Sequence, residues 1–309
     1  MKLWMIYDRE GMERNASYIQ MYRERCRTYE IQVEPVLAET LPRRLRDGQM
    51  PVCALVRTIC PEINQMLEQA GIPVFNSYQV SYVCNHKGRT LEYFKDQVLS
   101  VPSLTFSGKD LADILSKKPE ELASLFEKQF CYSNSFEQEE RKLICRASEY
   151  VIKAVDGHGG TQVFSIEEDK RQVLAGIGGH DFVLQPMIGG GSSTEGRKSQ
   201  DVRVYVVGKK IFAAVLRSSF RDFRANFSLG GEVRRYELSG HEIRIVKTVL
   251  DKMEFGMAGI DFIVDGRRRL ILNEIEDAAG ARMLYQCAPE LDIVQEYLQY
   301  ILKEKLPQT

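Results

Sequence analysis

The sequence predicts an α/β chain whose N-terminal open parallel sheet is followed by a second, strand-rich lobe. Three observations carry that prediction. Strand-like and helix-like segments alternate over residues 3–75. From about residue 143 onward, short apolar runs alternate with glycine-rich turns. Residues 256–285 read as two strands joined by a polar turn, with acids set into otherwise apolar runs.

Within the first region, 3–7, 32–37, 52–57 and 73–75 are strand candidates. Residues 16–29 read as a helix with Asn15 as its N-cap. Residues 62–70 read as a helix closed by Gly71 at the position after its C-cap. A single helix is expected over 77–94, weakened in the middle by Gly88, and 101–106 is a connector or edge strand because of Pro102. Apolar residues from Leu111 to Phe126 fall at helical spacing over 111–130, and Pro119 splits that run in two. Residues 131–141 are polar and read as a loop.

The strand-rich part holds candidates at 150–155, 162–166 and 182–187, then a hairpin of 202–207 with 210–216 over Gly208-Lys209. Residues 189–200 are the most flexible stretch by composition, and 218–231 read as a basic loop. Amphipathic helices are expected over 242–254 and 291–303.

In the acidic hairpin, Ile260, Phe262 and Val264 alternate with Asp261, Ile263 and Asp265. After the turn, Leu270, Leu272, Glu274 and Glu276 alternate with Ile271, Asn273 and Ile275. Successive side chains point to opposite faces, so Glu274 and Glu276 share one. Closing the hairpin brings Asp261 opposite the stretch from Leu272 to Glu274. Three converging carboxylates repel unless a cation lies between them, and an oxygen-only set suits Mg²⁺ shared with phosphate. On spacing alone, a solvated acidic face explains the pattern better; the apolar runs that the acids interrupt speak for burial.

Upstream lie cations to match. Lys153 sits mid-strand among apolar neighbours, where an unpaired ammonium is expensive, and the turn Gly157-His158-Gly159-Gly160-Thr161 follows it. Such turns free backbone N–H groups for phosphates. A plain hairpin with a snorkelling lysine explains this pair equally well. No G-x-x-x-x-G-K-[ST] loop occurs. Arg203, Arg217, Arg221 and Arg224 form a basic group whose guanidinium forks suit carboxylates and phosphoryl oxygens.

Composition sets the outer bounds. With 309 residues, 44% of them apolar, the chain can build two or three lobes around real cores. A formal net charge of −1 gives no global field for nucleic acid or an anionic membrane. No apolar run approaches membrane-spanning length, and MKLWMIYDRE meets charge too early for a signal peptide. Seven scattered cysteines without a C-x-x-C pair read as reduced core thiols in a cytoplasmic setting.

From Gly71 onward the motifs GIPVFNS, NHKGRT, YVIKAVDGHGGTQV, VLQPMI, DVRVYVVGKKIFAAVLR, DFRANFSLGG, GIDFIVD and LNEIEDAAG resemble, in order and spacing, the ATP-grasp superfamily. The resemblance is strongest to its RimK branch of ribosomal-protein glutamate ligases. It implies an ATP-grasp fold in which two α+β lobes enclose a nucleotide behind an N-terminal α/β lobe, here 1–95, 96–188 and 189–309. It also implies an ATP-dependent carboxylate–amine ligase that works through an acylphosphate and takes ATP and Mg²⁺, with Mn²⁺ as an alternative ion. By that resemblance Lys87 and Lys153 are the nucleotide lysines, and Gly159 and Gly160 lie in the phosphate-covering turn. Gln185, Met187 and Ile188 flank the adenine, and Asp201 lies near the ribose. Arg203 and Arg217 face phosphate and acyl group, Arg224 and Asn226 belong to the substrate loop, and Asp261, Glu274 and Glu276 ligate metal. Three positions depart from the family. Pro186 stands where the family has Glu, Glu276 where it has Asn, and Ala278-Ala279-Gly280 where it has Ser-Pro-Gly. The expected partners are small carboxylate and amine substrates, with a peptide acceptor and a homo-oligomer left open, and no nucleic acid or membrane. An ATP-grasp kinase and a nucleotide-binding scaffold without turnover are the competing functions.

Overall fold

The computed structural model describes residues 1–130, 135–144, 149–157, 160, 162–188, 199–219 and 232–302. Strands β1 (Lys2–Tyr7), β2 (Gln32–Leu37), β3 (Cys53–Val56) and β4 (Val74–Phe75) form a parallel sheet in the order β2-β1-β3-β4. The continuous apolar run of β1 fits its central place, because a parallel strand is covered on both faces. Leu3, Met5 and Tyr7 enter one core, and Trp4 and Ile6 the other. The Pro61–Gln69 helix starts on a proline and ends at Ala70, with Gly71 at φ 76° beyond it, as the sequence predicts.

Strands β5 (Leu104–Phe106), β6 (Tyr150–Ala154), β7 (Val163–Ser165) and β8 (Phe182–Pro186) make an antiparallel sheet ordered β5-β8-β6-β7. Strands β9 (Ser199–Gly208), β10 (Lys210–Ser219), β11 (Glu232–Tyr236), β12 (Phe255–Val264) and β13 (Leu270–Glu276) make a second one, ordered β11-β10-β9-β12-β13.

The five-stranded sheet is covered on both faces. On one, Val202, Val204, Ile260 and Phe262 pack with the helices Tyr78–Cys84, Lys87–Phe94 and Gly240–Lys252. On the other, Tyr205, Val207, Val215 and Met257 pack with Leu3 and Met5 of β1 and with the Ile293–Tyr300 helix. The residues that continue this second face along the strands are Arg203, Asp201, Arg217 and Asp261, so one face runs from apolar core into charge. Buried Asn76 ties the lobes together, donating to the carbonyls of Met257 (2.9 Å) and Asp277 (2.8 Å). Leu99 and Val101 pair with the Leu272 backbone at 2.9 and 2.8 Å and cover the outer edge of β13.

Several local expectations change. The expected helix at 16–29 is an α-helix, Ala16–Cys26, running into a 3₁₀ turn, Arg27–Tyr29. Asn15 stands at its N-cap as expected, but its side chain makes no capping bond there and donates instead to the Gly11 carbonyl of an additional helix, Arg9–Arg14. The single helix at 77–94 is two, because His86 Nδ1 accepts from the Arg89 N–H and starts a new helix there. Part of the expected polar loop, 135–141, lies in the Ser135–Ile144 helix. Helices Lys170–Ile177 and Arg282–Cys287 were not anticipated, nor was β11.

Candidate active site

The hairpin β12–β13 closes as the sequence predicts. Asp265 stabilises its turn, accepting from the N–H groups of Arg267 and Arg269 at 2.9 Å each. Asp261 pairs with Glu274, and Gly259 with Glu276. Between Asp261 and Phe262 the register slips, since Phe262 pairs with Leu272, and Asn273 is the extra residue of a β-bulge. The bulge breaks the alternation read from the sequence. Ile275 joins Leu270 and Leu272 in the core, while Asn273 and Glu274 both line the cleft. One oxygen each of Asp261, Glu274 and Glu276 lies within 4.8 Å of the others.

Cations surround these acids. Arg203, opposite Asp261 on β9, grips it with Nε to Oδ1 at 2.7 Å and Nη2 to Oδ2 at 2.6 Å. The same Nη2 lies 2.7 Å from Glu276 Oε1. Arg217 Nη2 donates to Asp261 Oδ2 at 2.8 Å and to Asp201 Oδ2 at 2.9 Å, and its Nε donates to Asp201 Oδ1. Gly259 makes room for this, since a Cβ there would sit 3.2 Å from both Arg203 Cδ and Ala279 Cβ. Lys87 Nζ lies 3.4 Å from Glu274 Oε2 and donates to the Gly157 carbonyl. Lys153 Nζ, from β6, donates to Asn273 Oδ1 at 2.9 Å.

Burial and charge set the ionisation. Burial pulls the Lys153 ammonium down to about 8, with Glu274 acting against the fall and Lys87 adding to it. Burial pushes the Asp261 carboxyl up, but Arg203 and Arg217 outweigh it and hold the group below the usual carboxylate range. Burial also raises Glu274, and Lys87 leads the groups that bring it below its ordinary value.

Lys87, Lys153, Gly160, Gln185, Met187, Ile188, Asp201, Arg217 and Glu274 line one cleft between the two antiparallel sheets. Its atom-free space is about 800 Å³, solvent at the mouth included. Arg203, Asp261 and Glu276 adjoin it through the ion pairs above. Gly159, Arg224 and Asn226 lie outside the described residues, as do 189–198 of the expected flexible stretch. Gln185 is buried, and its Nε2 donates to Ser103 Oγ at 2.7 Å. Asn273 is the lining residue that strict alternation hid.

A family model described as the RimK-like ATP-grasp domain matches residues 132–301. The chain belongs to the RimK-like ATP-grasp family. This ATP-grasp chain is 31% identical over 156 residues to an uncharacterized protein of Mycoplasma genitalium, covering 50% of this chain and 52% of that one. It is 28% identical over 164 residues to a probable alpha-L-glutamate ligase of Hahella chejuensis, covering 50% of each. The matches thus span about half the length of these curated relatives. Its fold matches that of D-cycloserine synthetase DcsG with a TM-score of 0.65 at 13% identity, over 98% of this chain and 100% of that one. D-alanine–D-alanine ligase from Bacillus anthracis, complexed with ATP, matches with a TM-score of 0.63 at 14% identity, over 98% and 96%. At such identities the likeness is one of fold, and it is the ATP-grasp fold expected from the motifs. Among the described residues, no helix is long and apolar enough to cross a membrane.

Proposed function

We propose that this ATP-grasp chain is an ATP-dependent carboxylate–amine ligase with lobes 1–95, 96–188 and 189–309. One observation carries the reading: three carboxylates converge within 4.8 Å at a cleft that two lysines and Arg217 also line. A ligase name on a relative of this family, and on structural neighbours, supports it.

The donor set fits a hard divalent cation, because all three groups offer carboxylate oxygen. Asp261, Glu274 and Glu276 would hold Mg²⁺ or Mn²⁺, which when bound neutralises phosphate charge. Each carboxylate also pairs with a cation of the chain, so the cluster is charge-balanced by its own residues. Glu276, in place of the family's Asn, is a second acid on the Arg203 Nη2 that Asp261 also holds.

In the proposed reaction a carboxylate oxygen of the acid substrate attacks the γ-phosphorus of ATP. The bond from that phosphorus to the β–γ bridging oxygen breaks, giving ADP and an acylphosphate. The amine nitrogen then attacks the acyl carbon, the bond from that carbon to the phosphate oxygen breaks, and the amine proton passes to solvent. Lys87, Lys153 and Arg217 offset the charge spread over the transferring group, and Arg203 holds the acids in place. Met187, Ile188 and the amide of Gln185 flank the base, Asp201 lies toward the ribose, and the turn from Gly157 through Gly159 to Gly160 covers the phosphates. Arg224 and Asn226 complete the substrate side. Closure over the site keeps water from the acylphosphate. The substrates are a small carboxylic acid and an amine or peptide, in a cytoplasmic setting.

A screen of amino acids and short peptides with Mg-ATP tests this, with ADP followed and products identified by mass. An amide formed beside ADP supports the ligase. A phosphorylated product without amide moves the reading to a kinase, and nucleotide binding without ADP moves it to a scaffold.

A further inference from the structure

We infer that Asn273 is a positioning residue for Lys153, holding its ammonium at the phosphate end of the cleft. The inference rests on the nucleotide reading above. The bulge after Leu272 places the Asn273 side chain beside that of Glu274 on the cleft face rather than with Ile275 in the core. From there Oδ1 accepts from Lys153 Nζ at 2.9 Å. The bond crosses the cleft, since Lys153 stands on β6 of one sheet and Asn273 on β13 of the other. Among the described residues it is the hydrogen bond that orients this ammonium, and no carboxylate lies in ion-pair range of it.

The chemistry of the partner matters. Lys87, the other lysine of the cleft, is paired with Glu274, and part of its charge is spent there. An amide oxygen orients an ammonium without carrying a negative charge of its own, so this bond does not neutralise the charge that Lys153 presents to an incoming anion. Leucine at 273 would fill the space and remove the acceptor, leaving the ammonium without its guide.

The test is a double-mutant cycle on nucleotide binding, followed by calorimetry with EDTA present and, in parallel, with Mg²⁺. The proteins are wild type, Asn273→Leu, Lys153→Met and the double variant; the ligands are ADP and adenosine. Asn273→Leu is expected to weaken ADP about tenfold, the loss of one hydrogen bond to a charged group. Adenosine, which has no phosphate, is expected to bind within about twofold of wild type, and the substitution is expected to change nothing further in the Lys153→Met background. An equal loss in both backgrounds, an equal loss for adenosine, or no loss overturns the inference while leaving the nucleotide reading intact. A wild type that binds neither ligand overturns both. Circular dichroism checks folding, and Asn273→Ala replaces the leucine variant if that one misfolds, with the same outcomes.

Discussion

Replacing Lys153 by methionine is expected to stabilise the unliganded protein. Its ammonium falls from 10.5 to about 8, chiefly because burial removes water that the charged form needs. At about 1.4 kcal/mol for each tenfold, that fall corresponds to about 3 kcal/mol of destabilisation. The sign follows from proton binding. Below about 8 both folded and unfolded chains hold the proton, and the penalty is fully present. Between about 8 and 10.5 the unfolded chain holds more proton than the folded one, so stability rises with pH and the penalty fades. A methionine has no proton to lose and no charge to desolvate. The lost bond to Asn273 subtracts about 1 kcal/mol, so Lys153→Met should gain about 2 kcal/mol at pH 7. The assay is urea unfolding of both proteins at pH 7 and pH 10, where the difference isolates Lys153 from the other titrating groups. The variant's advantage should shrink by about 2 kcal/mol across that range. An advantage that does not change with pH, or a wild type more stable at both pH values, refutes the reasoning.

Glu274→Gln is expected to lower ADP release at least about 100-fold with the circular dichroism spectrum unchanged, because it removes one acid of the cluster and the partner of Lys87. Wild-type turnover in that variant ends the metal assignment. Asp261→Asn leaves Arg203 and Arg217 buried with one carboxylate fewer, and the unfolding midpoint should fall by the equivalent of about 3 kcal/mol. Stripping divalent ions with EDTA should abolish ADP release and adding Mg²⁺ should restore it, which a turnover assay reads directly. Gly259→Ala should push Arg203 off Asp261 and cut turnover; an unchanged rate would show that the 3.2 Å contacts yield freely.

Much of the site could be read because two rules are local. Side chains two apart on a strand share a face, so Glu274 and Glu276 had to converge, and a short turn fixed Asp261 against them. The rest escaped for stated reasons. A bulge depends on how two strands close, not on the pattern of either, so Asn273 was assigned to the wrong face. His86 caps a helix through a ring nitrogen, outside the usual Ser, Thr, Asp and Asn set, so the break at Asn85-His86 was invisible. The Ser135–Ile144 helix buries Glu140, Leu143 and Ile144 near one end and offers little apolar period before them. Arg203 and Arg217 were read as suited to carboxylates or phosphoryl oxygens, and which carboxylates they grip could not be read because strand order across β10, β9 and β12 sets the pairing.

The two-sided burial of the five-stranded sheet has a bearing on how the chain can be cut. The matched family span, 132–301, holds every strand of that sheet but neither of its coverings from upstream. Trimmed to that span, β9 would present Tyr205 and Val207 where Leu3 and Met5 now lie, and Val202 and Val204 where the helices Tyr78–Cys84 and Lys87–Phe94 now pack. Such a fragment would expose grease on both sides and forfeit Lys87 as well. The part of the chain that carries the family signature therefore draws the burial of both its sheet faces in part from residues that precede it.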